Sequence, residues 1–102
     1  IEKLLPFDIK RVYYMYNCKS KRGGHRHIKT IQALIALTGS CEIYINNNKE
    51  KNTYTLNSPE QCLILEPEDW HCMDKFSKDC VLLVLASEYF NKSDYIDKEY
   101  EN

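Results

Sequence analysis

Apolar residues come in short runs in this chain, and turn-forming residues cut each of them off. The longest, CVLLVLA at Cys80–Ala86, is of strand length and far below the about 20 apolar residues that a membrane-spanning helix needs. IKRVYYMY (Ile9–Tyr16) is rich in the β-branched and aromatic residues that fit a pleated surface. RHIKTIQALIALTG follows and reads as one strand that stops at Gly39-Ser40 and turns into CEIYIN. Asn46-Asn47-Asn48 then predicts a hairpin turn, because Asn tolerates positive φ. KNTYTLN alternates Thr53 and Thr55 against Tyr54 and Leu56, the pattern of a half-buried return strand. QCLILE and CVLLVLA are continuous apolar runs, expected where both faces are covered, and Pro59 and Pro67 belong in the turns that bracket the first. Six or more short strands with tight turns predict an all-β sandwich or barrel. SEYFNKSDYIDKEYEN, acidic and Tyr-rich, closes the chain as a short helix or a docked tail.

A chain of 102 residues has room for one modest core, so residues 1–102 are expected to form a single domain. A net charge of −1, with no Lys/Arg block, argues against nucleic acid as a partner. No apolar run predicts a membrane span, and no secretory pattern is present. The five cysteines, Cys18, Cys41, Cys62, Cys72 and Cys80, are odd in number and hold no C-x-x-C pair. They read as reduced thiols of a cytoplasmic protein. The chain opens at Ile1 without an initiator Met, so an N-terminal piece is expected to precede it.

Two of the three histidines stand one residue apart, in KRGGHRHIKTIQ (Lys21–Gln32). On a strand His25 and His27 share a face. That pattern fits three chemistries. The rings could simply hydrogen-bond at a strand start. They could clamp a metal with His71 of PEDWH as the third ligand, although the downstream polar position, Gln32, is a poor ligand for a divalent ion. Or they could exchange protons, since imidazole with a pKa of roughly 6.5 can take and return a proton near neutral pH. Arg11 and Tyr13, also two apart, share a face of the preceding strand, and the phenol could equally be core packing. Trp70 and His71 are expected to cap a barrel mouth and to hydrogen-bond on a loop. Tyr89, Tyr95 and Tyr100 are expected to be docking or surface residues.

PFDIKRVYYMYN, RGGHRHIKTIQALIALTGS, CLILEPEDWHCMDKFS, CVLLVLASEYF and SDYI together resemble the bacterial sugar 3,4-ketoisomerases, which are related to the WxcM-like proteins. The resemblance runs from about Pro6 to Tyr95. It implies a cupin jelly-roll β-barrel, a homodimer that exchanges an N-terminal strand, and no metal or redox cofactor. The implied reaction moves the keto group of dTDP-4-dehydro-6-deoxy-D-glucose from C4 to C3, on the way to 3-amino sugars of surface glycans. Carried over by position, the family's two motif histidines fall on His25 and His27, its first Tyr on Tyr13 and its Arg on Arg11. The implied roles are catalytic for His25, His27 and Tyr13. Arg11, Arg22, Arg26 and Lys29 are the expected substrate-binding cations, and Gly23-Gly24 would let the backbone approach the substrate closely. A sugar-binding or metal-binding cupin without this activity, and a 3,5-epimerase-like enzyme acting on the same sugar nucleotide, remain open at this point. Relatives carry a longer segment before the position of Pro6, and it would supply the exchanged strand.

Overall fold

A computed structural model describes residues 3–102; the reading that concerns the opening at Ile1 lies outside them. Among the described residues, nine strands, β1 (Arg11–Tyr16), β2 (Arg22–His27), β3 (Gln32–Thr38), β4 (Cys41–Asn46), β5 (Lys51–Leu56), β6 (Leu63–Leu65), β7 (Trp70–Asp74), β8 (Val81–Ala86) and β9 (Tyr95–Ile96), make two antiparallel sheets. One sheet has the order β1-β8-β3-β6 and the other β5-β4-β7-β2-β9. Their inner faces meet over Leu34, Ala36, Ile43, Ile45, Leu65, Met73, Leu82 and Val84, with Tyr13 and Met15 packed against this core. This is the all-β, jelly-roll arrangement that the resemblance implies. No helix among the described residues is long and apolar enough to cross a membrane.

Most elements follow the alternation of the sequence. β1 alternates half-buried Arg11, Tyr13 and Met15 with exposed Val12, Tyr14 and Tyr16. The Asn turn joins β4 to β5, with Asn48 at φ 75° and the Asn47 side chain accepting from the N–H groups of Lys49 and Glu50, each at 2.9 Å. Pro67 lies in the turn closed by the Asp69 N–H bond to the Glu66 carbonyl.

Three expectations are corrected, and a fourth, the docked tail, holds. RHIKTIQALIALTG is not one strand: β2 ends at His27, β3 begins at Gln32, and the stretch between them is stapled to the tail. Ile28 N–H donates to the Asp94 carbonyl, Lys29 N–H and the Thr30 hydroxyl donate to the Asp94 carboxylate, and Ile31 exchanges bonds with Ser87. Long-range partners, not local propensity, make this break. β5 is not half-buried but exposed up to Leu56, because it is an edge strand paired only with β4. Trp70 and His71 lie on β7 and not on a loop. The tail is docked, and it forms one 3-10 turn (Lys92–Asp94) followed by β9, which pairs with β2.

A bulge sets the face of β2. Gly23 pairs with Cys72 and His25 with His71, so Gly24 is an extra residue in the ladder. Both glycines have positive φ, 84° and 85°. Side chains alternate, so one inserted residue reverses which of those that follow point inward. The glycines therefore aim the histidines. A Cβ on Gly23 would lie 3.1 Å from Met73 Sδ and 3.2 Å from the Cys72 Cα and the His71 carbonyl oxygen, whereas on Gly24 the nearest atom is 3.9 Å away. Both changes strain the backbone, and only the first also crowds it. Gly23→Ala should destabilise by about 2–3 kcal/mol and Gly24→Ala by about 1 kcal/mol, read from urea unfolding. Equal costs would show that the crowding at Gly23 is relieved.

Candidate active site

The bulge delivers His25 and His27 to the barrel interior, where β7 contributes the third imidazole. Ring centroids are 5.1 Å apart for His25–His27, 5.0 Å for His25–His71 and 5.9 Å for His27–His71. His27 and His71 are almost wholly buried, at 3% and 1% exposure. The Pro67 turn holds both: His27 N–H donates to the Pro67 carbonyl at 3.0 Å, and His71 Nδ1–H donates to the Asp69 carbonyl at 3.0 Å. That bond leaves His71 Nε2 as a bare acceptor, and neither it nor His27 Nε2 has a partner among the described residues. Three neutral imidazoles in one interior would suit a metal, but no group of three or more His, Cys, Asp or Glu side chains among the described residues has the geometry to hold one.

The facing sheet supplies a phenol and a cation. Tyr13 points inward from β1, and Gln32 Nε2 donates to its Oη at 3.3 Å. With that oxygen accepting, the phenolic proton is free for another partner. The Arg11 guanidinium lies 4.3 Å from the Tyr13 ring centroid and 5.2 Å from that of Phe90. Its Nη1 donates to Tyr95 Oη at 3.4 Å. Tyr95, expected from the sequence to be a docking or surface residue, instead packs edge-on against both His25 and His27.

Burial dominates the proton affinities here. It lowers the pKa of His25 below 6.5, against the attraction of Asp97. It pushes His27 down to about 4, helped by the His25 charge and opposed by Asp94. It pushes His71 down to about 3, against the Asp69 bond. The same burial raises the Tyr13 phenol above 10, with Arg11 opposing. At neutral pH the site therefore holds neutral imidazoles that can accept protons and a neutral phenol that can donate one.

The remaining sequence candidates lie elsewhere. Arg22 reaches toward Cys18, with Nη1 3.6 Å from Sγ, and lines a groove of about 530 Å³ together with Gly24, Tyr44, Trp70 and Glu99. Arg26 stacks on the Tyr100 ring, 4.8 Å from its centroid. Lys29 is exposed, with its ammonium 3.9 Å from Glu88. Only Arg11 of the four cations joins the imidazoles. His71, Gln32 and Tyr95 are the site neighbours whose part strand alternation did not reveal. SDYI and PEDWH mark two of them, and nothing local shows that those segments meet.

The sequence has close relatives of known fold and activity. It is 44% identical to a TDP-4-oxo-6-deoxy-alpha-D-glucose-3,4-oxoisomerase of Aneurinibacillus thermoaerophilus, over 98% of this chain and 73% of that one. The TDP-fucose-3,4-ketoisomerase WlaRA of Campylobacter jejuni superposes with a TM-score of 0.89 at 41% identity, over 91% of this chain and 70% of that one. A mutant of the 3,4-ketoisomerase QdtA of Thermoanaerobacterium thermosaccharolyticum, in complex with TDP-4-keto-6-deoxyglucose, gives a TM-score of 0.89 at 44% identity, over 92% and 70%. The family model described as WxcM-like, C-terminal (FdtA) matches residues 1–102. Sequence and fold agree, and the chain belongs to the WxcM-like, C-terminal family.

Proposed function

We propose that this protein is a sugar-nucleotide 3,4-ketoisomerase, which moves the carbonyl of a TDP-4-keto-6-deoxyhexose from C4 to C3. The observation that carries the reading is a pair of neutral imidazoles, His27 buried and His25 half-buried, facing a neutral phenol and a guanidinium, in a chain 44% identical to an oxoisomerase of that type. The C3 proton is acidic because it lies α to the C4 ketone. His25, the more exposed of the two motif imidazoles, removes it, and the electron pair moves through C3–C4 onto O4. Tyr13 donates to the developing oxyanion, and Arg11 stabilises its charge. His27 takes the proton of the C3 hydroxyl as the C3 carbonyl forms, the proton held on His25 is delivered to C4, and passage of the His27 proton to Tyr13 restores both groups. General acid–base groups of this kind contribute on the order of 10²–10⁴-fold each. Arg22, on the lining of the outer groove, contacts the phosphates. Arg26, stacked on Tyr100, and Lys29, turned to Glu88, are not used in these steps.

Residues 1–102 act as a single domain in this reading, and two copies form a homodimer. The support for pairing is the outer face of the four-stranded sheet. Val12, Tyr14 and Tyr16 of β1 stand 58%, 60% and 60% exposed, and Tyr14 lies opposite half-buried Leu83 on β8. A contiguous apolar sheet face of this kind is the usual material of a subunit interface. Tyr14→Asp should convert a dimer to a monomer in sedimentation velocity, and a wild-type chain that sediments as a monomer removes the pairing.

His25→Asn keeps the shape of the ring edge but no base, and should lower kcat by at least about 10³-fold with TDP-4-keto-6-deoxyglucose, followed by NMR of the product. An unchanged rate would show that His25 is not the base. Only the neutral imidazole can accept the C3 proton. The His25 pKa lies below 6.5, so kcat/KM should be flat near neutral pH and fall only as the pH drops through that lowered value. At the alkaline end the raised phenol of Tyr13 keeps its proton past pH 10, so no loss is expected before then. An acid limb centred above pH 6.5 would contradict a base desolvated by its surroundings.

A further inference from the structure

Tyr95 is not used by the steps above, yet its ring lies against both imidazoles. It is the Cα partner of His27 between β9 and β2, so the two side chains leave the sheet on the same face. Its ring centroid is 4.6 Å from that of His25 and 4.6 Å from that of His27, with interplanar angles of 61° and 71°. Its other side meets Phe90 at 5.7 Å. Its hydroxyl is bonded by the same guanidinium that lies over Tyr13.

We infer that Tyr95 is a positioning residue for the reaction: its ring fixes and dries the two imidazoles, and its hydroxyl holds Arg11 over the Tyr13 phenol. Water is the chief competitor for a buried imidazole, and a ring set edge-on to both excludes it from the side the sheet leaves open. The groups that face the pair are Tyr13 and Arg11 from β1, His71 from β7, Asp94 from the 3-10 turn and Asp97 just after β9. Asp94 favours the charged form of His27 and Asp97 that of His25, while Arg11 and the neighbouring His25 charge disfavour that of His27.

The chain anchors Tyr95 from both sides. Before it, the Asp94 carboxylate accepts from Lys29 N–H at 2.9 Å and from the Thr30 hydroxyl. After it, Trp70 Nε1–H donates to the Asp97 carbonyl at 2.9 Å. Further on, the Glu99 carboxylate accepts from the Tyr44 hydroxyl at 2.7 Å and from Asn46 Nδ2 at 2.9 Å. The tail thus straps the outer face of the sheet while Tyr95 occupies the inner one. A two-residue strand could not by itself hold a side chain so firmly.

The kinetic arm of the test rests on the ketoisomerase reading, and the spectroscopic arm does not. Histidine ring C–H signals are followed by NMR against pH in wild type, Tyr95→Phe and Tyr95→Leu, with kcat and KM measured on TDP-4-keto-6-deoxyglucose. In Tyr95→Leu water reaches the pair, so the His27 titration should move up by about one pH unit. The acid limb of kcat should move up as well, and kcat should fall about 10-fold or more with a smaller change in KM. Tyr95→Phe keeps the ring, so the titrations should stay within about 0.3 unit of wild type, while the loss of the Arg11 bond lowers kcat severalfold. A folded Tyr95→Leu protein with unmoved titrations overturns the sealing role. Tyr95→Phe with wild-type kcat overturns the Arg11 role, and because it removes one oxygen it keeps the inference testable even where Tyr95→Leu does not fold. Should the wild type leave the sugar unchanged, the ketoisomerase reading fails while the titrations still decide the sealing role.

Discussion

One extra residue in one strand decides whether this barrel has a reactive interior. The insertion of Gly24 between the Gly23–Cys72 and His25–His71 pairs turns the imidazoles of β2 inward, to the side on which His71 already lies. Without it, alternation would send His25 and His27 to the outer face, beside Trp70 and Cys72, and the interior would keep a single imidazole. Left-handed backbone at two successive positions is cheap only for glycine. The requirement for Gly-Gly at this point is therefore a requirement on chemistry as much as on the chain path.

Once inside, the side chains acquire their reactivity from exclusion of water. Burial is the largest influence on His25, His27, His71 and Tyr13, and it acts in opposite senses on base and acid. Imidazoles lose protons more readily and the phenol holds its proton more tightly, so both are neutral over a wide pH range. A carbonyl shift between adjacent carbons needs this combination, since proton acceptors and a donor must coexist at one pH. The unpartnered Nε2 atoms of His27 and His71 carry a desolvation cost in the free protein. Such costs are tolerated where the atoms serve binding or chemistry.

The two ends of the described chain meet at the site. β1 brings Arg11 and Tyr13 from the first strand, and the tail brings Asp94 and Tyr95 from the last. Asp94 ties down the turn that ends β2, Tyr95 covers the imidazoles, and Arg11 bridges from the last strand to the first. An acidic, Tyr-rich tail that reads as a short helix or a docked segment is a wall of the pocket. Its acidic residues are split between this inner task and the outer clamp of Glu99.

Local pattern alone was enough for an all-β chain, for β1, β4 and β8, for the Asn turn, and for the common face of His25 and His27. These follow from side-chain alternation and from the φ preferences of Asn and Pro, which act over a few residues. Which face the histidines take, that His71 stands beside them, that RHIKTIQALIALTG breaks in two, that β5 is bare, and that Tyr95 is interior while Lys29 and Arg26 are not were decided only by tertiary structure. Each depends on a partner far away in sequence, Cys72 for the bulge, Asp94 for the break and β2 for the tail, and no local periodicity carries that information.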